Sequence, residues 1–170
     1  MGETGSFFRL GVVIMTEGHA ALDGPVIRTA HIVLPSHANA MGTVFGGVVM
    51  GWMDICAAIA AQRYAGTEAV TASVDDLHFL RPLKVGDTVS LEATVTAVGR
   101  TSMEVWVEVN RVPMERGLPA ERTTQAYFTF VAMGPDHRPT KVEPLTRQDE
   151  ERATPAEERR ARRLARRNKR

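Results

Sequence analysis

Apolar and polar positions follow two rhythms along this chain, and the change between them divides it. Val26 to Leu34 is rich in β-branched residues and is stopped by Pro35, which predicts a strand. Ser36 to Gly47 is small and polar, holds three glycines and shows no period, so it reads as a loop. Gly47 to Tyr64 is then apolar almost all round: Val48, Val49, Met50, Trp52, Met53, Ile55, Ala57, Ala58, Ile59 and Ala60. Its length and its alanine and methionine content predict a helix, ended by Gly66. A helix apolar on every side is expected to be wrapped by other structure.

After the helix the period drops to two. Ala69 to Phe79 reads as a strand, broken by Arg81-Pro82 and by Val85-Gly86-Asp87. Thr88 to Val98 places Val89, Leu91, Ala93, Val95 and Ala97 on one face, and Gly99-Arg100 makes a tight turn. Thr101 to Val112 alternates again through Met103, Val105, Val107 and Val109. A loop with Pro113, Gly117 and Pro119 leads to a last strand, Thr123 to Met133. One helix cannot cover both faces of a five-stranded sheet, whereas a curved antiparallel sheet can wrap around one helix. The expected class is α+β, a long central helix wrapped by a curved antiparallel β-sheet.

Composition sets the frame around that pattern. With 170 residues, 44% hydrophobic and 24% charged, the chain suits one ordinary domain and is neither disordered nor collagen-like. The expected boundaries are an N-terminal extension over 1–24, a single domain over 25–145 and a charged, Arg-rich tail over 146–170. A lone cysteine, Cys56, excludes a disulfide framework and any multi-thiolate metal site, and it fits a reducing, cytoplasmic setting. No membrane span is expected: the longest apolar run, Phe45 to Ala61, contains three glycines and Asp54 and falls short of the ~20 residues a span needs. The start lacks the basic region of a signal peptide. Met1-Gly2 with Ser6 matches only a loose myristoylation pattern that chance often produces.

The net charge of +1 hides an asymmetry. Thr146 to Arg170 carries ten Lys/Arg and five Asp/Glu, so the tail holds +5 and the rest of the chain −4. A nucleic-acid-binding domain carries its basic face on the fold itself, so no nucleic-acid partner is expected. Thr154-Pro155-Ala156-Glu157 forms a capping box, and the nearly all-charged run behind it reads as a solvated helix with no apolar stripe to dock.

Asp54 is the most informative single residue. It is the only charge between Phe45 and Ala61, in a helix expected to be buried, where a lone carboxylate is costly and seeks partners. Gly46-Gly47 begins the same helix, where first-turn N–H groups lack internal partners and carry the positive end of the dipole. Gly47 and Asp54 are seven positions apart and therefore share one face. An electrophile-polarising helix tip and a carboxylate thus line one wall. Other chemistries lack their signatures: there is no G-x-S-x-G, H-E-x-x-H, G-x-G-x-x-G or P-loop, and no histidine pair at metal-ligand spacing. His31 and His78 read as satisfying hydrogen bonds within strands. Cys56, two residues from Asp54 and on another side of the helix, reads as a small core residue.

At this point the chain resembles a known family. Ser36-His37-Ala38-Asn39, Gly42, Phe45-Gly46-Gly47 and Trp52-Met53-Asp54 are similar to the hotdog-fold acyl-CoA thioesterases, in their cytosolic acyl-CoA hydrolase branch. Val70 to Asp76, Arg81-Pro82 with Val85-Gly86-Asp87, and Arg100-Thr101-Ser102-Met103-Glu104 extend the likeness over about residues 26 to 135. The resemblance implies the hotdog fold and a homodimer at minimum, two hotdogs side by side with sites at their interface, commonly as trimers of dimers. It places the catalytic asparagine on Asn39 and the carboxylate on Asp54, supplied by opposite subunits. Coenzyme A contacts fall on Ala72, Ser73 and Val74 and on Thr101, Ser102 and Met103. Many relatives carry His before the Gly-Gly pair, where this chain has Phe45, so no histidine donor is expected at the thioester.

The chemistry implied is hydrolysis of acyl-CoA to fatty acid and CoA, with the Gly47 N–H, beside Gly46, stabilising the oxyanion. Asp54 acts as general base on a water held by Asn39, or as nucleophile. No cofactor or metal is expected, since coenzyme A belongs to substrate and product. Arg100 is a candidate for a CoA phosphate. Two alternatives stand beside this reading: a non-catalytic acyl-CoA-binding or regulatory module, and a hotdog acyl-thioester hydratase, which would need a histidine near Asp54.

Overall fold

A computed structural model of the chain describes residues 15–17, 26–143, 159, 161 and 165. Six strands form one antiparallel sheet: β1 (Met15–Glu17), β2 (Val26–Ile32), β3 (Glu68–Phe79), β4 (Thr88–Val98), β5 (Ser102–Val112) and β6 (Glu121–Met133). The single long helix α1 runs Gly46–Ala65. The expected architecture is therefore present, with β1 as an addition inside the stretch assigned to an N-terminal extension.

Period-two alternation explains the inner layer. Val89, Leu91, Ala93 and Val95 of β4, Met103, Val105, Val107 and Val109 of β5, and Ala126, Phe128, Phe130 and Ala132 of β6 are all buried. Against them α1 turns Val49, Met53, Cys56, Ala57, Ala60 and Ala61, a stripe at helical spacing. Gly66 ends the helix in the left-handed region at φ 67, which glycine adopts without a Cβ penalty.

Strand order departs from a simple meander. The sheet runs β1-β2-β4-β5-β6-β3, so the chain leaves α1 for the far edge, pairs β3 with β6, and returns to the middle as β4. The return loop lies in front of the helix tip: the Val44 N–H donates to the Leu83 carbonyl at 2.9 Å, and Gly86 N–H to Val33 at 2.9 Å. A β-bulge between Thr71 and Ser73 leaves Ala72 unpaired.

The sheet wraps one face of α1; on the opposite face Gly47, Gly51 and Ile55 are exposed along one stripe, and Ile55 keeps 57% of its surface in solvent, with no cover among the described residues. One expectation needs correction: the tail is not all solvated. Arg159 is buried against the outer face of the sheet, where it forks onto Glu104 at 2.6 and 3.2 Å and lies 3.7 Å over the Tyr127 ring. The capping box at 154–157 lies outside the described residues.

Candidate active site

The loop before α1 is built around Asn39. Its Oδ1 accepts from the Met41 N–H at 2.9 Å and the Thr43 N–H at 3.2 Å, and its Nδ2 donates to Thr43 Oγ1 at 3.0 Å. The backbone closes the same loop, with Asn39 N–H on Thr43 O at 2.7 Å and Gly42, at φ 74, making the turn. That loop delivers the chain to the helix tip. Among the described residues no backbone carbonyl accepts from the Gly46 or Gly47 N–H, as the first turn of a helix dictates. The Phe45 ring folds beside Gly47, where a Cβ would lie 2.6 Å from its Cε1, so only glycine fits without moving the ring.

Asp54, two turns further on, is half-buried, and Thr71 Oγ1 of β3 donates to its Oδ1 at 2.7 Å. A hydroxyl in this geometry fixes the carboxylate and leaves the other oxygen for a substrate or water. Helix and strand run in opposite directions, so Gly46 meets Phe79 at one end and Asp54 meets Thr71 at the other. Seven residues of helix separate Gly47 from Asp54, about 10 Å along the axis. They share a side of the helix, yet stand too far apart for one reacting group to touch both within a single chain.

Across the sheet, Thr71 is in register with Phe130, and Phe130 with Met103; Val70, Val131 and Ser102 are aligned likewise. The β4–β5 turn is thus two strand spacings from Thr71, about 10 Å. The Val142 N–H donates to Arg100 O at 3.0 Å, which ties the chain after β6 to that turn.

Histidines gather elsewhere. His31 stacks on Trp52 with ring centroids 4.6 Å apart and 7° between planes, and His37 meets the same indole edge-on at 5.2 Å. Burial, and then the neighbouring His37, hold His31 below the usual histidine range. His31 is therefore a helix-packing group and not merely a satisfied strand residue. Cys56 is buried, and burial pushes its thiol up to about 11, which suits an inert core residue. Among the described residues no cluster of His, Cys, Asp and Glu is placed to hold a metal ion, and no helix is long and apolar enough to cross a membrane.

Comparison with known proteins agrees with this fold. Residues 41–117 match the thioesterase superfamily. An uncharacterized acyl-CoA thioester hydrolase of Zymomonas mobilis is 40% identical over 121 residues, 71% of this chain and 79% of its own. The chain belongs to the thioesterase superfamily. Among solved structures, an acyl-CoA hydrolase from Staphylococcus aureus, in complex with butyryl coenzyme A and coenzyme A, superposes with TM-score 0.76 at 33% identity, covering 85% of this chain and 89% of its own. The same hydrolase is known as Asp-to-Ala, Asn-to-Ala and Thr-to-Ala mutants. A hexameric thioesterase from Yersinia pestis superposes with TM-score 0.62 at 34% identity over 67% of this chain and 92% of its own.

For this thioesterase, the sequence-derived residues divide into three groups. Asn39, Gly46 and Gly47 gather at the helix tip. Asp54 joins β3 through Thr71, a partner that the sequence reading missed, because a strand threonine looks ordinary until the helix brings a carboxylate to it. Ala72 and Val74 are exposed, and Ser73 is half-buried with its hydroxyl on Asp75 at 3.2 Å. Arg100 is exposed, and Thr101 and Ser102 are half-buried at the hairpin. Met103 requires a correction: its side chain is buried in the core and its residue is in register with Val98 and Phe130 on either side, so it has no surface for coenzyme A.

Proposed function

We infer that this thioesterase hydrolyses acyl-CoA thioesters to fatty acid and coenzyme A at sites shared between two copies of the chain. The observation that carries the reading is the carboxylate of Asp54, held by the Thr71 hydroxyl at 2.7 Å on the uncovered side of α1. In the Staphylococcus hydrolase the intervals between the mutated asparagine, aspartate and threonine equal those separating Asn39, Asp54 and Thr71, which supports a role for all three.

Because Gly47 and Asp54 of one chain stand about 10 Å apart along the helix, the complete site takes the two from different copies. The helix tip of one subunit, with Gly46, Gly47 and Asn39, receives the thioester oxygen, and the Gly47 N–H stabilises the oxyanion. The other subunit brings Asp54, which activates a water against the carbonyl carbon; direct attack by the carboxylate is the rival step. Departure of a thiol of pKa about 8.5 needs no strong general acid, and no cofactor enters beyond the substrate's own coenzyme A. Exposed Ala72 and Val74, with Ser73, line the bulged edge strand for the pantetheine arm, while Arg100, Thr101 and Ser102 face its phosphates.

The uncovered apolar positions Ile55, Val70 and Val74 lie on α1 and on the edge strand β3, where a second copy pairs side by side. The Yersinia relative is hexameric, which supports three such dimers per assembly, and the lone cysteine, Cys56, fits work in a reducing cytoplasm. The test is release of free thiol from acyl-CoAs by the wild type and by Asp54→Asn. Release by the wild type with loss in a folded mutant is expected; full activity in the mutant would remove Asp54 from the chemistry. Tight CoA binding without thiol release would make the chain a binding module.

A further inference from the structure

Arg159 comes from the tail yet acts on β3, β5 and β6. Its guanidinium forks onto Glu104 of β5 at 2.6 and 3.2 Å, and its central carbon lies 3.7 Å from the middle of the Tyr127 ring on β6. Burial works against its charge. The Glu104 bond, then attraction from Glu104, Tyr127 and Asp76 of β3, outweigh burial and hold the group above the ordinary arginine range. Strand register shows what lies alongside. Glu104 is in register with Thr129 and Thr129 with Ser73, while Trp106 is in register with Tyr127 and Tyr127 with Asp75. Cross-strand partners share a face, so Ser73 and Asp75 are on the outer side with Arg159, their own side chains joined at 3.2 Å.

The stretch those two residues belong to is thinly supported. β3 is an edge strand with a ladder on one side only, and its pairing slips between Thr71 and Ser73 and again between Asp75 and His78. Three residues, Ser73, Val74 and Asp75, remain in register between the two irregularities. Asp76 follows at φ 50, a left-handed conformation that surrounding structure has to hold. We propose that Arg159 is a positioning residue for coenzyme A, bracing the 73–76 stretch from the outer face so that it meets the pantetheine arm in one conformation; this rests on the acyl-CoA reading above. Glu104 and Tyr127 fix the guanidinium on the two strands of the regular ladder. Its further attraction, to Asp76, ties the irregular strand to them. Residues 68–71 pair with β6 without a break and carry the Thr71 hydroxyl independently, so the brace acts on binding and not on the Asp54 chemistry.

The test is KM and kcat for an acyl-CoA, with the inhibition constant of free CoA, across a mutant cycle. Glu104→Gln/Arg159→Gln removes the guanidinium without leaving a lone acid in the sheet. It is expected to raise KM and the CoA constant together, about five-fold or more, with kcat within about two-fold of wild type. Arg159→Lys, which keeps a cation on Glu104 but loses the planar fork, should fall between wild type and that variant. Asp76→Asn, at an exposed position and with a residue that tolerates positive φ, is expected to raise both constants about two- to five-fold. In the Glu104→Gln/Arg159→Gln background it should add nothing. Amide exchange of residues 73–76 should quicken in each variant while 68–71 stays protected. Arg122→Gln, which breaks an ion pair to Glu108 on β5 and β6, is the control and should keep the wild-type KM. An unchanged KM, a fall in kcat alone, or an Asp76→Asn effect of equal size in both backgrounds overturns the brace while leaving the thioesterase reading in place. A folded wild type that releases no thiol from any acyl-CoA removes that reading and the positioning role with it.

Discussion

The two faces of α1 are made from similar residues and do opposite things. On one face Val49, Met53, Ala57 and Ala60 vanish beneath β4, β5 and β6. On the other, Gly47, Gly51 and Ile55 stay open, with Asp54 half-buried between them. Only the open face carries a charge, and only there does a side chain from the edge strand reach a carboxylate. A closed face can be optimised for packing alone. An open one has to stay compatible with substrate and with a second subunit, which favours small residues beside the acid.

Neighbouring positions allow that contrast to be broken one face at a time. Asp54→Asn is expected to lower kcat about 10²- to 10⁴-fold while the urea midpoint stays near wild type, because the amide keeps the volume and the Thr71 bond. Met53→Ala, the adjacent residue on the closed face, should do the reverse. It loses about 2–5 kcal/mol in equilibrium unfolding, with activity per folded molecule retained. If both mutations hit the same observable, the faces are not separable. Ile55→Glu tests the open face as an interface. It is expected to weaken subunit association about ten-fold or more by sedimentation, and to reduce activity in parallel, as the shared site proposed above requires.

The smallest expected effect concerns pH. His31 binds its proton less readily folded than unfolded, through burial first and His37 second. Between its folded value and about 6.5 the unfolded chain therefore holds more protons, so stability falls as pH drops through that window. His31→Phe, which keeps a ring against Trp52, should flatten the acid side of the stability curve by at most about 1.4 kcal/mol per pH unit. Urea titrations at pH 7 and pH 5 read it directly.

Much of this contrast was legible in the residues. Alternation in β4 and β5 states which side chains face inward, and the alanine-rich run ending at Gly66 gives α1 almost to the residue. Asp54 stood out because a charge in such a run needs a reason. Neighbour relations were not legible: a period of two tells which face a residue occupies, but not that β3 crosses to pair with β6. For the same reason Thr71 escaped notice, and Met103 was set on a ligand surface although its parity turns it into the core. The tail was misread because a run of arginines conceals which one has a buried carboxylate waiting for it.

That last contact bears on how the chain may be shortened or extended. Glu104 is 3% exposed, on the face of β5 opposite Met103 and Val105, and it holds Arg159 and the Thr96 hydroxyl at 3.1 Å. Trimming at residue 145, where the family likeness has ended, would strip a counter-ion from the middle of the sheet and leave an acid in its place. A purification tag joined after Arg170 is separated by eleven residues from Arg159, the side chain anchored on that outer surface. Arg159 is in effect a seam allowance: the garment is cut beyond it, not along it.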